Sequence, residues 1–150
     1  MKKFAIAAVL ALATMAANAV EFGIVGSTVE QKNHFTDSVG LTVGQHFGKF
    51  SVTAEADRDV TKNINKFSTI GGYDVLTLGT ATFAVKAGAG YVDTTKLIPA
   101  DRIVGLVGVG VSVPVTKTVA MTADYRYQEG RDQAKTYNGN TFTVGAKFSF

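Results

Sequence analysis

The chain has 150 residues, a length that suits one domain, and it contains no cysteine. Without cysteine it can form neither a disulfide framework nor a thiolate metal site. Its 15 basic and 12 acidic side chains give a formal net charge of +3, which is too small to indicate nucleic-acid binding.

The amino terminus is typical of an export signal. Met1 is followed by two lysines, a mostly apolar run and the tripeptide Ala-Asn-Ala, which forms an A-x-A cleavage site. The apolar run is shorter than the ~20 residues that a membrane-spanning helix needs. We therefore predict a signal peptide over residues 1–19, cleavage between Ala19 and Val20, and a mature protein over residues 20–150. Loss of the two lysines lowers the net charge to +1.

Eight segments after this signal alternate apolar and polar side chains with a period of two residues. In the seventh segment, Val119, Met121 and Ala123 alternate with Thr122 and Asp124. Most segments have close to the ~9–11 residues that a tilted strand needs to cross a bilayer. The predicted strands cover residues 20–29, 38–47, 49–57, 66–75, 80–92, 102–113, 119–128 and 141–150.

The connections between the predicted strands alternate between short and long. The short ones cover residues 47–49, 78–80 and 114–118, and the long polar ones cover residues 30–37, 58–65, 93–101 and 129–140. Short turns at one rim and long loops at the other are typical of outer-membrane barrels, whose long loops are extracellular. An even number of strands also puts both chain ends at the periplasmic rim.

The last predicted strand ends on an aromatic residue, with nothing beyond it to cover its edge. An uncovered edge must pair with another strand, most simply the first one, and this pairing closes a barrel. The sequence therefore predicts an all-β fold, an eight-stranded antiparallel up-and-down barrel. The apolar face of the last strand consists of Phe142, Val144, Ala146, Phe148 and Phe150.

Alternation alone does not decide which face of the barrel points inward. A soluble barrel of the lipocalin type would bury the apolar face. Here, however, the polar face is rich in small residues, as suits a lumen that side chains just fill. Aromatic residues of the apolar face also lie near the strand ends, as an interfacial girdle requires. We therefore predict a transmembrane barrel with its apolar face towards lipid.

The pattern over residues 20–150, and the last strand most specifically, resembles the small eight-stranded outer-membrane barrels of Gram-negative bacteria. These include the transmembrane domain of outer membrane protein A, outer membrane protein X and opacity-type surface proteins. The resemblance implies a location in the cell outer membrane, among outer-membrane lipid and lipopolysaccharide. It also implies that the barrel assembly machinery recognises the last strand through Phe142, Val144, Ala146, Phe148 and Phe150.

Charged side chains on the polar face predict an ion-pair network in the lumen. An unpaired charge in this narrow space costs several kcal/mol, so we expect pairing, with Glu55 bound to Lys86 or Arg126. The network is either a static polar plug, which we favour, or the gate of a small pore. The predicted members are Glu21, Lys49, Glu55, Asp57, Asp74, Lys86, Asp124, Arg126 and Lys147.

Evidence for catalysis is weak. His34 lies in the first long connection with Ser27, Glu30 and Ser38 nearby in sequence, and His46 lies on the polar face. A lipid A-modifying enzyme is the natural comparison, but its His-x-Ser pair on one strand face is missing here. We expect no enzyme activity, no cofactor and no metal.

The predicted function is that of an integral outer-membrane barrel with a structural or surface-interaction role through its four long loops. Basic residues in or beside these loops would meet lipopolysaccharide phosphates, and any other surface ligand is left open. The alternatives are a narrow ion-conducting pore and, third, the lipid-modifying enzyme.

Overall fold

Eight strands account for almost all of the chain that the structure describes. The computed structural model describes residues 20–31, 34–60, 64–93, 103–130 and 137–150, so the predicted signal peptide lies outside the described residues. The strands are β1 (Val20–Gln31), β2 (His34–Phe47), β3 (Phe50–Asp59), β4 (Ile64–Leu78), β5 (Ala81–Asp93), β6 (Ile103–Pro114), β7 (Val119–Gly130) and β8 (Gly139–Ser149).

Each strand pairs antiparallel with its neighbours in sequence, and β1 pairs with β8 to close the barrel. The seam between β1 and β8 runs from Glu21 opposite Ser149 to Glu30 opposite Asn140. The amide of Phe150 adds a 3.3 Å hydrogen bond to the carbonyl of Val20. The predicted eight-stranded antiparallel barrel is therefore confirmed.

The barrel has its polar face inside and its apolar face outside. On β8 the side chain of Phe142 is 53% exposed, whereas the next residue, Thr143, is 1% exposed. The same alternation holds for most of the strand residues. The lipocalin-like arrangement is excluded, because that fold would bury the apolar face. In the part of the chain that the structure describes, no helix has the length and apolarity needed to cross a bilayer.

The two rims differ. One rim, here called the turn rim, contains both ends of the described barrel and the connections at residues 48–49, 79–80 and 115–118. Gly48 and Gly79 open the two shortest turns with φ of 65° and 60°, a left-handed conformation that glycine adopts without steric cost. The opposite rim, here called the loop rim, carries the four connections that were predicted to be long. They cover residues 32–33, 60–63, 94–102 and 131–138, so the prediction is wrong for the first two, which are no longer than the connection at residues 115–118.

The strands extend further towards the loop rim than the sequence pattern predicts. The first of these connections was predicted over residues 30–37, yet Glu30 still pairs with Phe35 across the β1–β2 ladder. Near this rim Val29 faces the lumen and Glu30 faces outward, so the pattern of apolar side chains outside and polar side chains inside fails while the backbone hydrogen bonds continue.

Two further predictions about strand ends are wrong. β3 begins at Phe50, so Lys49 is an exposed residue of a turn and does not lie on a strand facing the lumen. β4 continues to Leu78 through an irregularity between Asp74 and Leu76. A β-bulge of this kind inserts one residue into the ladder and interrupts the period of two. The predicted strand therefore ends at residue 75, although the strand continues.

Candidate functional site

An ion pair crosses the middle of the lumen. Arg126 of β7 and Glu55 of β3 lie on opposite sides of an eight-stranded ring, and their Nη1 and Oε1 atoms are 2.9 Å apart. Only 2% of the arginine and 3% of the glutamate side chain is exposed. Arg126 Nη2 also donates to Thr143 Oγ1 at 2.8 Å, and this hydroxyl donates to Ser27 Oγ at 3.0 Å. The Arg126 guanidinium and the Thr143 hydroxyl together thus link four strands across the lumen.

Two more ion pairs lie between this layer and the turn rim. Lys86 Nζ is 2.5 Å from Asp124 Oδ1. Closer to the rim, Lys147 Nζ is 3.2 Å from Glu21 Oε2, which His46 Nε2 approaches to 3.4 Å. Their side chains are more exposed than those of the central pair, so the lumen becomes wetter towards the turn rim.

A looser pair lies on the other side, towards the loop rim. Lys66 Nζ is 3.5 Å from Asp57 Oδ2 and donates a hydrogen bond of the same length to Gln128 Oε1. Lys66 was not among the predicted lumen charges, because it begins the predicted fourth strand and was assigned to the loop beside it. Its even position, shared with Ser68 and Ile70, was the signal that could have placed it on the lumen face.

Seven of the nine predicted lumen charges take part in these contacts: Glu21, Glu55, Asp57, Lys86, Asp124, Arg126 and Lys147. Of the two partners proposed for Glu55, the structure gives Arg126. Lys49 and Asp74 form no ion pair within the described residues. Instead the Asp74 amide donates to the Lys49 carbonyl at 2.8 Å, at the turn rim.

Glycines of β6 make room for these long side chains. A Cβ atom added to Gly110 would lie 2.9 Å from Lys86 Cε and would overlap the Asp124 carboxylate. A Cβ atom at Gly108 would lie 2.8 Å from Cγ of Arg126. Both distances are too short for a carbon contact, so the ion pairs require a strand without side chains at these two positions.

Two small cavities lie on either side of the central pair. One, of about 40 Å³, borders Asp57 and Lys66 near the loop rim. The other, of about 30 Å³, borders Lys86, Asp124 and Lys147. Each is large enough for a water molecule and not for an organic solute. The lumen of the described barrel is thus a filled interior with small polar pockets.

The structure offers little for catalysis. The side chain of His34 lies outside the described residues, and His46 contacts Glu21 in the lumen. No group of three or more histidine, aspartate or glutamate side chains in the described ranges is placed to hold a metal ion. The lipid A-modifying activity therefore gains no support from the geometry.

The outer surface carries an apolar band with aromatic rings at its edges. At the turn rim the rings of Phe22 and Phe150 meet edge to face at 6.2 Å, and those of Phe50 and Tyr73 are 4.8 Å apart. Outward-facing rings near the loop rim include Tyr127. Two aromatic girdles around an apolar band are characteristic of barrels that span a membrane.

The chain has the fold of the small transmembrane β-barrels. It is similar to a de novo designed transmembrane β-barrel at 14% identity and a TM-score of 0.68, covering 91% of this chain and 98% of the design. It is similar to the Neisserial surface protein A at 17% identity and a TM-score of 0.55, covering 88% of this chain and 96% of that protein. It is also similar to the outer membrane protein Ail of Yersinia pestis, solved in a phospholipid bilayer nanodisc. The identity is 12% and the TM-score 0.56, covering 89% of this chain and 100% of Ail.

These likenesses confirm the resemblance to small outer-membrane barrels at the level of the fold. No protein-family model matches the chain, and no curated protein matches it significantly.

Proposed function

We propose that the protein is an integral barrel of the outer membrane of a Gram-negative bacterium, with a structural or surface-interaction role. The observation that carries this proposal is the apolar band on the outside of a closed barrel. Leu41, for example, is 64% exposed in mid-strand, and leaving such a side chain in water costs about 1.5–3 kcal/mol. Lipid around the barrel removes that cost for the whole band.

A role at the surface fits the basic residues of the connections at the loop rim. These connections, over residues 32–33, 60–63, 94–102 and 131–138, contain six bases and two acids, whereas acids such as Glu30, Asp37 and Glu129 lie on the adjoining strand ends. The bases are Lys32, Lys62, Lys96, Arg102, Arg131 and Lys135. Cations of this kind bind phosphate and sulfate oxygens through charge-assisted hydrogen bonds. Ail, which shares the fold, has been solved with the heparin analogue sucrose octasulfate.

The ligand class that we propose is an anionic glycan, in the first place the phosphorylated lipopolysaccharide of the surrounding leaflet. The test compares two double variants in bilayer nanodiscs. One changes Lys62 and Lys96, in connections at the loop rim, to glutamine. The matched control makes the same change at Lys49 and Lys117, which are exposed in turns at the other rim.

We expect the loop-rim variant to bind lipopolysaccharide micelles several-fold more weakly and with a smaller dependence on salt, because fewer charge contacts remain. The turn-rim variant should bind like the parent. Equal binding by all three proteins, or an equal loss in both variants, would contradict a specific contact at the loop rim.

We further propose that β8 is the segment that the assembly machinery recognises, through Phe142, Val144, Ala146, Phe148 and Phe150. The support is its outward aromatic edge at the seam that closes the barrel. No catalytic activity forms part of the proposal, and cleavage before Val20 remains a prediction from the sequence.

A further inference from the structure

The two residues that precede β8, Tyr137 and Asn138, are bound to the end of β7 at the loop rim. The side-chain amide of Gln128 donates to the backbone carbonyl of Tyr137. The backbone amide of Gly130 donates to Asn138 Oδ1 at 2.7 Å. Both anchors come from the last three residues of β7, whereas Tyr137 and Asn138 precede the first residue of β8.

Tyr137 contributes to an apolar layer across the mouth of the lumen. It packs, together with Ile64 at the start of β4, against Val92 of β5 and Val104 of β6. Val92 and Val104 are almost fully buried and lie on the lumen face, where most other side chains are polar. An apolar layer above a polar interior excludes water from the mouth.

A small chamber with both polar and apolar side chains in its wall lies directly beneath this layer. It is the cavity of about 40 Å³ near the loop rim, and its wall includes Thr36, Ser38, Asp57, Lys66 and Tyr137. Asp57 Oδ1 is buried and has no hydrogen-bond partner among the described residues. Buried polar atoms in a cavity of this size are usually satisfied by ordered water. The central pair of Arg126 and Glu55 lies next to the chamber on the side of the turn rim, two residues before Gln128 on β7 and Asp57 on β3.

We propose that Tyr137 and Asn138 form a latch that closes the loop-rim mouth of the lumen over this hydrated chamber. Solutes outside the barrel then reach Asp57 and Lys66 only when the latch is displaced. Neither latch residue belongs to the β7–β8 ladder, whose last pair joins Gln128 and Gly139. The latch can therefore open by losing two hydrogen bonds and one ring contact, without breaking the barrel.

The absence of cysteine from the whole sequence allows a direct test. Thr36→Cys places a single thiol in the chamber wall, at a position that is 4% exposed. Thr118→Cys places one in an exposed turn as the reference for full access. The measurement is the rate of modification by a small charged thiol reagent, with folding verified by heat-modifiable gel migration.

Three changes are combined with Thr36→Cys. Tyr137→Ala removes the ring, Asn138→Ala removes only the acceptor of the Gly130 amide, and Tyr137→Phe keeps the ring. The control is Tyr127→Ala, an outward-facing tyrosine near the same rim that does not border the chamber.

We expect the thiol at position 36 to react far more slowly than that at position 118. Tyr137→Ala should raise its rate by about tenfold or more, and Asn138→Ala by less, because local opening becomes easier. Tyr137→Phe and Tyr127→Ala should leave the rate unchanged. The proposal is overturned if the parent thiol at position 36 reacts as fast as the reference. It is also overturned if the folded Tyr137→Ala and Asn138→Ala variants both react like the parent.

Discussion

Arg126 shows at the scale of one residue how a charge is held inside this barrel. Its side chain is almost fully buried, and it is bound by the Glu55 carboxylate and the Thr143 hydroxyl. Moving two charges out of water costs several kcal/mol per ion, which their attraction offsets only when the remaining hydrogen bonds are also made. The pair therefore fixes which side chains meet across the lumen more than it adds net stability.

Removing one partner of this pair should be costly. Arg126→Ala leaves the Glu55 carboxylate buried, and we expect the free energy of unfolding in lipid vesicles to fall by about 3–5 kcal/mol. Glu55→Ala should have a similar effect, and the double variant should lose much less than the sum of the two. Lys49→Ala, in an exposed turn, should change stability by no more than about 0.5 kcal/mol. Strictly additive losses in urea titrations would show that the two side chains are not coupled.

β8 combines three roles at the scale of one element. Its inward Thr143 hydrogen-bonds in the central layer, its outward aromatics border lipid, and its backbone closes the seam with β1. Its alternation was the clearest in the sequence, because every side chain faces one of two strongly different environments.

The proposed assembly signal predicts a difference between folding in the cell and folding in detergent. Phe150→Ala should lower the amount of barrel in the outer membrane several-fold while the purified chain still folds in detergent, as shown by gel migration. The control is Phe50→Ala, another exposed aromatic at the turn rim with a ring neighbour of its own. An equal loss in both variants would mean that the girdle, and not the last strand, is recognised.

Strand number, inside-out polarity and most lumen charges could be predicted from the sequence, because they follow from a period of two. Three features could not. The extra residue between Asp74 and Leu76 shifts the ladder without a mark in composition. The pairing of Glu30 with Phe35 lies where the outward face is no longer consistently apolar, so alternation does not reveal it. Tyr137 packs against Val92 and Val104, which are far from it in sequence, and no local pattern predicts such a contact.

At the scale of the whole molecule, the lumen is a stack of layers. An apolar layer lies at the loop rim, followed by a chamber with Asp57 and Lys66, and then by the central pair of Arg126 and Glu55. Beyond these lie a second small cavity and the wetter cluster around Glu21 at the turn rim. The two lumen cavities bordered by the described residues are water-sized, and the central pair lies between them.

This stack favours the plug over the pore. Planar bilayers that contain the purified parent barrel should show no stable conductance steps, with protein-free bilayers and a wide porin as the two reference states. We expect the current through bilayers with the barrel to equal that through protein-free bilayers at every applied voltage in the ordinary range. A reproducible single-channel conductance of the folded parent would favour the alternative function, an ion-conducting pore.

The seam between the first and last strands also constrains how the molecule is made. Lys147 and Glu21, which meet at this seam, are 126 positions apart in the chain, so the cylinder cannot be sealed before the final segment has arrived. Joining such distant partners carries a large entropic penalty and tends to be slow. Until then the open sheet exposes unpaired backbone groups at its edge strands and the apolar side chains of its outer face. In the proposed outer-membrane location, chaperones must therefore mask these surfaces before insertion, and a truncation of even the last few residues should leave an unclosed chain that proteases degrade.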